Sequence, residues 1–294
     1  MDTPVYGDYD QRTLDRQYSP SSCVEDINVF LDRYAVESER TRRTVPARRG
    51  IRYGEQPPET LDFFPATVPD APLMVFVHGG YWQELSKNES SFPARGLVAA
   101  GAAYAALDYG LAPEYRLDEI VAQVRRGLAW LLEHAVDLGV DPHRIHLSGS
   151  SAGAHLVAMA LLDDWRPGGL HPADAFAGAT LLSGVYDLEP LRLTYVNEPL
   201  GLDVHSAARL SPIRHLPARL PALVVARGGA ETDEFVRQHE DLLRAVAPRA
   251  ASVREVVAGH RNHFDITFDL DQQASELGAA VFAQLGLPAT TPRP

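Results

Sequence analysis

Apolar residues fall into short unbroken runs that alternate with stretches of helical period. "LMVFVHGG" (73–80), "AAYAALDYG" (102–110), "RIHL" (144–147), "GATLLSGVYD" (178–187), "PALVVARGG" (221–229) and "SVREVVAG" (252–259) read as strands, most of them buried on both faces. "ARRGIRYG" (47–54) and "TLDFFPA" (60–66) predict an opening hairpin. Between these runs, 117–139 places apolar residues at helical spacing with Gly139 as its stop, "AHLVAMALLDD" (154–164) predicts an apolar helix, and "EFVRQHEDLLRAV" (234–246) predicts another. A closing helix is expected over 270–285. Repeated strand–helix alternation implies an α/β fold: a mostly parallel central sheet with helices on both faces. The expected organisation is a polar N-terminal segment (1–20), one α/β domain (21–287) and a disordered tail (288–294).

In such sheets ligands sit beyond the carboxyl ends of the strands, and the residues able to do chemistry cluster at those ends. "HLSGSSAGAHLVAM" (146–159) holds the frame Gly149-Ser150-Ser151-Ala152-Gly153 between a strand and a helix. That frame selects Ser151 as a nucleophile held on a sharp turn, with glycines where a Cβ would strike the neighbouring strand or helix.

A serine nucleophile needs a base, a carboxylate to orient it, and donors for an oxyanion. Of the 11 histidines, His260 and His263 follow the last strand, as the chain order serine, acid, histidine requires. His263 is preferred because Phe264 anchors its loop. His155, one helical turn past Ser151, has a packing role, and His143 and His146 start a strand at the opposite end of the sheet. The loop "AETDEF" (230–235) offers Glu231, Asp233 and Glu234 as acids, one of the three serving only the N-terminus of the following helix. "FVHGGYW" (76–82) puts His78, Gly79 and Gly80 directly after a strand, where bare backbone N–H groups, joined by that of Ala152, can surround a negatively charged oxygen.

The formal net charge of −12 argues against nucleic acid as a partner, and the basic stretch 39–49 reads as a solvated connector into the first strand. No apolar run approaches a membrane span. One cysteine, Cys23, excludes an internal disulfide and fits a reducing compartment, so a cytoplasmic location without membrane attachment is expected. No histidine pair has convincing metal-ligand spacing, and neither metal nor cofactor is expected.

His78-Gly79-Gly80-Tyr81-Trp82 with Gly149-Ser150-Ser151-Ala152-Gly153 resembles the α/β-hydrolase fold, and more narrowly the kynurenine formamidase (arylformamidase) group. "QYSPSSCV" (17–24), "DYGLAPE" (108–114), "SGVYDLEPL" (183–191), "EFVRQ" (234–238) and "NHFDI" (262–266) fit that group in order, so the resemblance covers roughly residues 17–285. It implies Ser151 as nucleophile, His263 as base, and Gly79, Gly80 and Ala152 as oxyanion donors. It ranks Glu231 above Asp233 as the acid, although the group ordinarily has an aspartate there. The implied reaction is hydrolysis of the formamide of N-formyl-L-kynurenine to L-kynurenine and formate, a step of tryptophan degradation, with His78, Tyr81, Trp82 and Phe264 around the substrate. A broad small-acyl or aryl carboxylesterase is the alternative, and a non-catalytic ligand-binding protein the remote one. A small aromatic formamide or ester is the expected partner, a homodimer is an allowed assembly, and Arg12, Arg16 and Tyr18 reach the pocket if the N-terminal segment folds over it.

Overall fold

A computed structural model describes residues 3–288, so the expected tail at 288–294 lies, but for Pro288, outside the described residues. Eight strands, β1 (Arg48–Arg52), β2 (Thr60–Phe64), β3 (Ala71–Val77), β4 (Ala103–Leu107), β5 (Val140–Ser150), β6 (Gly178–Leu182), β7 (Ala222–Ala230) and β8 (Val253–Asn262), form one sheet in the order β1-β2-β4-β3-β5-β6-β7-β8. The opening hairpin is antiparallel and joins β4 antiparallel, whereas β4, β3, β5, β6, β7 and β8 run parallel to one another.

The helices are α1 (Gln11–Gln17), α2 (Asn28–Thr44), α3 (Ala94–Ala99), α4 (Leu117–Glu133), α5 (Ala152–Ala160), α6 (Pro172–Ala175), α7 (Val204–Arg209), α8 (Asp233–Val246) and α9 (Glu276–Gln284). They cover both faces because successive strand residues point to opposite sides. Along β3, Leu73, Val75 and Val77 join one core with apolar residues of α4, α5 and α8, while Met74 and Phe76 join the other with those of α3 and α9. Every residue of β3 is buried, as a central parallel strand requires, while β1 is mostly exposed at the sheet edge.

Several boundaries differ from the sequence reading, each for a local reason. The helix expected over 117–139 ends at Glu133, and Gly139, at φ 74°, closes a separate turn after it. The strand expected over 178–187 stops at Leu182, because Ser183 takes a left-handed backbone at φ 46°. The closing helix is confined to α9, after a 3-10 turn over Asp265–Asp269. The basic stretch 39–49 is not a plain connector. Its first half ends α2, where Arg42 and Arg43 both pair with Glu39. In the polar N-terminal segment, α1 buries Leu14, and Tyr18 follows it into the main core.

Candidate active site

The carboxyl ends of β3, β5 and β8 meet on one side of the sheet around a cavity of about 240 Å³, with the end of β7 beside that of β8. β5 runs into α5 through Ser151, whose backbone sits at φ 55°, ψ −118°. A non-glycine residue there stores strain on the order of 1–3 kcal/mol, so the surroundings must hold it. They do: the Ser151 N–H donates to the Leu182 carbonyl at 2.8 Å, and the backbones on either side leave no room to relax. A Cβ at Gly149 would overlap the Gly153 carbonyl, and one at Gly153 would overlap the carbonyl oxygens of Val77 and His78. Glycine is thus required at both positions by close approach.

β8 ends in the turn that carries His263. Its Nδ1 lies 2.9 Å from Glu231 Oε2, on the loop that ends β7. Both groups are out of solvent, with His263 5% exposed and the Glu231 side chain fully covered. The imidazole is held edge-on by Phe235 at 4.7 Å and by Phe264 at 5.2 Å. Phe264 is itself stacked on Phe30, and its carbonyl accepts from the Tyr34 hydroxyl, so the aromatic anchor foreseen for this loop is tied to α2. Ser151 and His263 line the same cavity.

The structure separates the competing candidates. Asp233 is exposed as the first residue of α8, where a carboxylate favours the helix dipole, and it accepts from Gln17 at 3.1 Å. The acid alternative at Asp233 is therefore corrected: its carboxylate faces Gln17 and solvent, and the contact with His263 belongs to Glu231. Glu234 is committed to Arg237 and the Tyr18 hydroxyl. His260 is exposed on β8. His155 is fully buried with Nε2 2.7 Å from the Leu210 carbonyl oxygen, and burial pushes its pKa down to about 4. His146 is pushed to about 4 as well, by burial and then by the Arg144 charge.

The glycine loop after β3 lies against the serine turn, since a Cβ on Gly79 would touch Ser150 O and Ser151 Cβ. Gly80 has φ 92°, and its carbonyl accepts from both Gln83 and Glu84, which curls the loop. Among the described residues, no acceptor takes the backbone N–H of Gly79, Gly80 or Ala152. His78, Tyr81 and Phe264 line the cavity. His78 is buried with its ring stacked on Tyr109 at 4.0 Å. Trp82 does not line the cavity and is corrected as a substrate contact. With φ 60° following φ 49° at Tyr81, its ring is turned into the core, fully buried and edge-on to His155 at 4.9 Å.

The remaining walls were not visible in the sequence as such. Pro20, Ser21, Ile27, Leu31 and Tyr34, from the N-terminal region and α2, close one side. "QYSPSSCV" marked that region, but only by resemblance. Arg12 and Arg16 are exposed and absent from the lining, and Tyr18 points to Glu234 at 2.8 Å, so none of the three serves the pocket as foreseen. The lining includes Glu84 and Glu89 and, among the described residues, no lysine or arginine. Nor is any group of three or more His, Cys, Asp or Glu among them placed to hold a metal ion, and no helix among them is long and apolar enough to cross a membrane.

Comparison with known proteins agrees with this architecture. The family model BD-FAE matches residues 62–165. A kynurenine formamidase from Danio rerio is 36% identical over 86% of this chain and 89% of its own length. Among solved structures, a protein from Silicibacter sp. provisionally described as a thioesterase is 30% identical with a TM-score of 0.80, covering 91% of this chain and 98% of that one. Esterase B from Lactobacillus rhamnosis, at 18% identity, shares the fold with a TM-score of 0.68 over 90% of this chain and 94% of its own. The sheet order and these relatives define a hydrolase of the α/β-hydrolase fold. The chain belongs to the kynurenine formamidase family.

Proposed function

We propose that this protein hydrolyses the formamide of N-formyl-L-kynurenine, giving formate and L-kynurenine, through Ser151, His263 and Glu231. The observation that carries the reading is the 2.9 Å contact between His263 Nδ1 and the covered Glu231 carboxylate, beside a strained Ser151 on the same aromatic-walled cavity. Family membership supports the substrate.

In this mechanism Ser151 Oγ attacks the formyl carbon while His263 takes its proton. Glu231 holds the Nδ1–H tautomer and stabilises the imidazolium. The developing oxyanion is received by the N–H groups of Gly79, Gly80 and Ala152, each such donor being worth about 3–4 kcal/mol in comparable sites. His263 then protonates the departing aryl amine, a better leaving group than an alkyl amine. Water, activated by the same imidazole, attacks the formyl-serine and releases formate. Tyr81 and Phe264 supply aromatic surface for the substrate ring. Residues 21–287 act as one hydrolase domain in this reading, with the N-terminal segment, from residue 3 on, fastened onto it. The setting is cytoplasmic, as the single cysteine supports.

The test is turnover of N-formyl-L-kynurenine and of an aryl acetate by the wild type and by Ser151→Ala. Efficient deformylation lost in the variant is the expected outcome. Ester cleavage by Ser151 with negligible deformylation would leave a carboxylesterase and remove the formamide reading.

A further inference from the structure

Glu231 has two carboxylate oxygens, and only one faces His263. The other, Oε1, accepts from the Ser183 hydroxyl at 2.6 Å and, more distantly, from the Gly228 N–H at 3.3 Å. Ser183 is the first residue after β6, the strand beside β7, and its N–H is fixed to the Ala226 carbonyl at 2.8 Å. It is 2% exposed, so water does not compete for the contact. We propose that Ser183 is a positioning residue for the reaction, locking Glu231 in the one rotamer that presents Oε2 to His263; the inference rests on the triad reading above.

Two features separate this from a serine that merely fills space. The first is its backbone. At φ 46°, Ser183 occupies a conformation that glycine takes freely and side chains resist, and a glycine does stand next door at 184. A side chain is retained at a place where losing it would relieve strain, and that side chain points at the acid. Among the described residues, five of the six non-glycine residues with positive φ, namely Tyr81, Trp82, Leu85, Ser151 and Ser183, belong to the loops around this site, where such strain accompanies function. The second feature is the acid itself. Glutamate has one more rotatable bond than aspartate, so its carboxylate needs a second anchor to stay in line with the imidazole.

The experiment measures kcat and KM for an aryl acetate and for N-formyl-L-kynurenine in Ser183→Ala, Ser183→Gly, Glu231→Ala and the Ser183→Ala/Glu231→Ala double variant. Ser183→Gly removes the hydroxyl while relaxing the backbone, so it stays informative if the alanine variant folds poorly. Both single variants at 183 are expected to lose about tenfold or more in kcat, the scale of a hydrogen bond to a charged group, with KM changed less than about twofold. In the Glu231→Ala background the Ser183 change should cost nothing further, and the low-field proton resonance of His263 Nδ1–H should move in Ser183→Ala. Wild-type kcat in Ser183→Gly, or an undiminished loss in the Glu231→Ala background, overturns the proposal. Full activity in Glu231→Ala would instead remove the triad reading on which it stands.

Discussion

The serine turn and the acid loop do similar work by different means. At the end of β5 the backbone carries the constraint: Ser151 is strained, and Gly149 and Gly153 are packed against carbonyl oxygens with no room for a Cβ. At the end of β7 the constraint lies in side chains and hydrogen bonds, with Glu231 held between His263 and Ser183. The N-terminal segment reinforces the second arrangement. Thr232, the residue after the acid, donates to the Gln17 carbonyl at 2.6 Å, and the Gln17 amide caps α8 through the Glu234 N–H at 3.1 Å. A backbone-built site tolerates one residue type per position. A site built from side-chain contacts can exchange glutamate for aspartate and adjust.

Changes at the two sites should therefore break the molecule in different ways. The largest effect falls on Ser151→Ala, which should lower kcat by about 10⁶-fold with the fold intact, as measured by steady-state turnover and thermal unfolding. Glu231→Ala follows, at about 10⁴-fold in kcat, while Glu231→Asp should retain far more activity if the acid loop adjusts as described. Equal losses in the two Glu231 variants would count against that adjustment. Gly153→Ala strikes the backbone-built side. It should cost about 4 kcal/mol of unfolding free energy in urea, because the new methyl meets the Val77 and His78 carbonyls.

Next in size is a pH effect that contrasts the two histidines. His263 meets a carboxylate and the cavity, whereas His155, on α5 beside the serine turn, is buried and neutral with its pKa depressed from 6.5 to about 4. The unfolded chain then binds a proton that the folded one refuses, so stability is full above pH 6.5 and falls as the pH drops toward 4. Between pH 7 and pH 5 this one group should remove about 2 kcal/mol. His155→Gln, which can still donate to Leu210, should flatten the urea stability profile over that interval by about that amount, and an unchanged slope would contradict the assignment. The smallest expected effect is Tyr81→Phe. It removes a 2.7 Å hydrogen bond to the Tyr18 carbonyl and should cost about 1 kcal/mol of stability by the same unfolding assay.

The central strands were legible because parallel strands buried on both faces must be apolar throughout, as "LMVFV" is. The meeting of Ser151 and His263 at one cavity was legible because each sits beside a distinctive neighbour, paired glycines in one case and Phe264 in the other. The carboxylate beside His263 was less so. Three carboxylates within four residues look alike until the chain direction after β7 is known, and α8 begins at Asp233, turning that side chain outward. Trp82 misled because an aromatic next to an oxyanion loop looks like a pocket wall, and only two consecutive positive φ angles turn it into the core. The N-terminal helices escaped notice because they carry few apolar residues. Leu14, Tyr18 and Tyr34 are buried through long-range contacts that no local period encodes. Ser183 was hidden for the same reason, since its partner lies 48 residues away.

The central claim is that the formyl group passes through Ser151, and mass spectrometry tests it most directly. Wild-type enzyme is mixed with N-formyl-L-kynurenine, quenched in acid within the first turnover, and digested. The account predicts a formyl ester on the peptide holding Ser151, absent from Ser151→Ala. Full deformylation with that peptide unmodified, and continued turnover in Ser151→Ala, would contradict it.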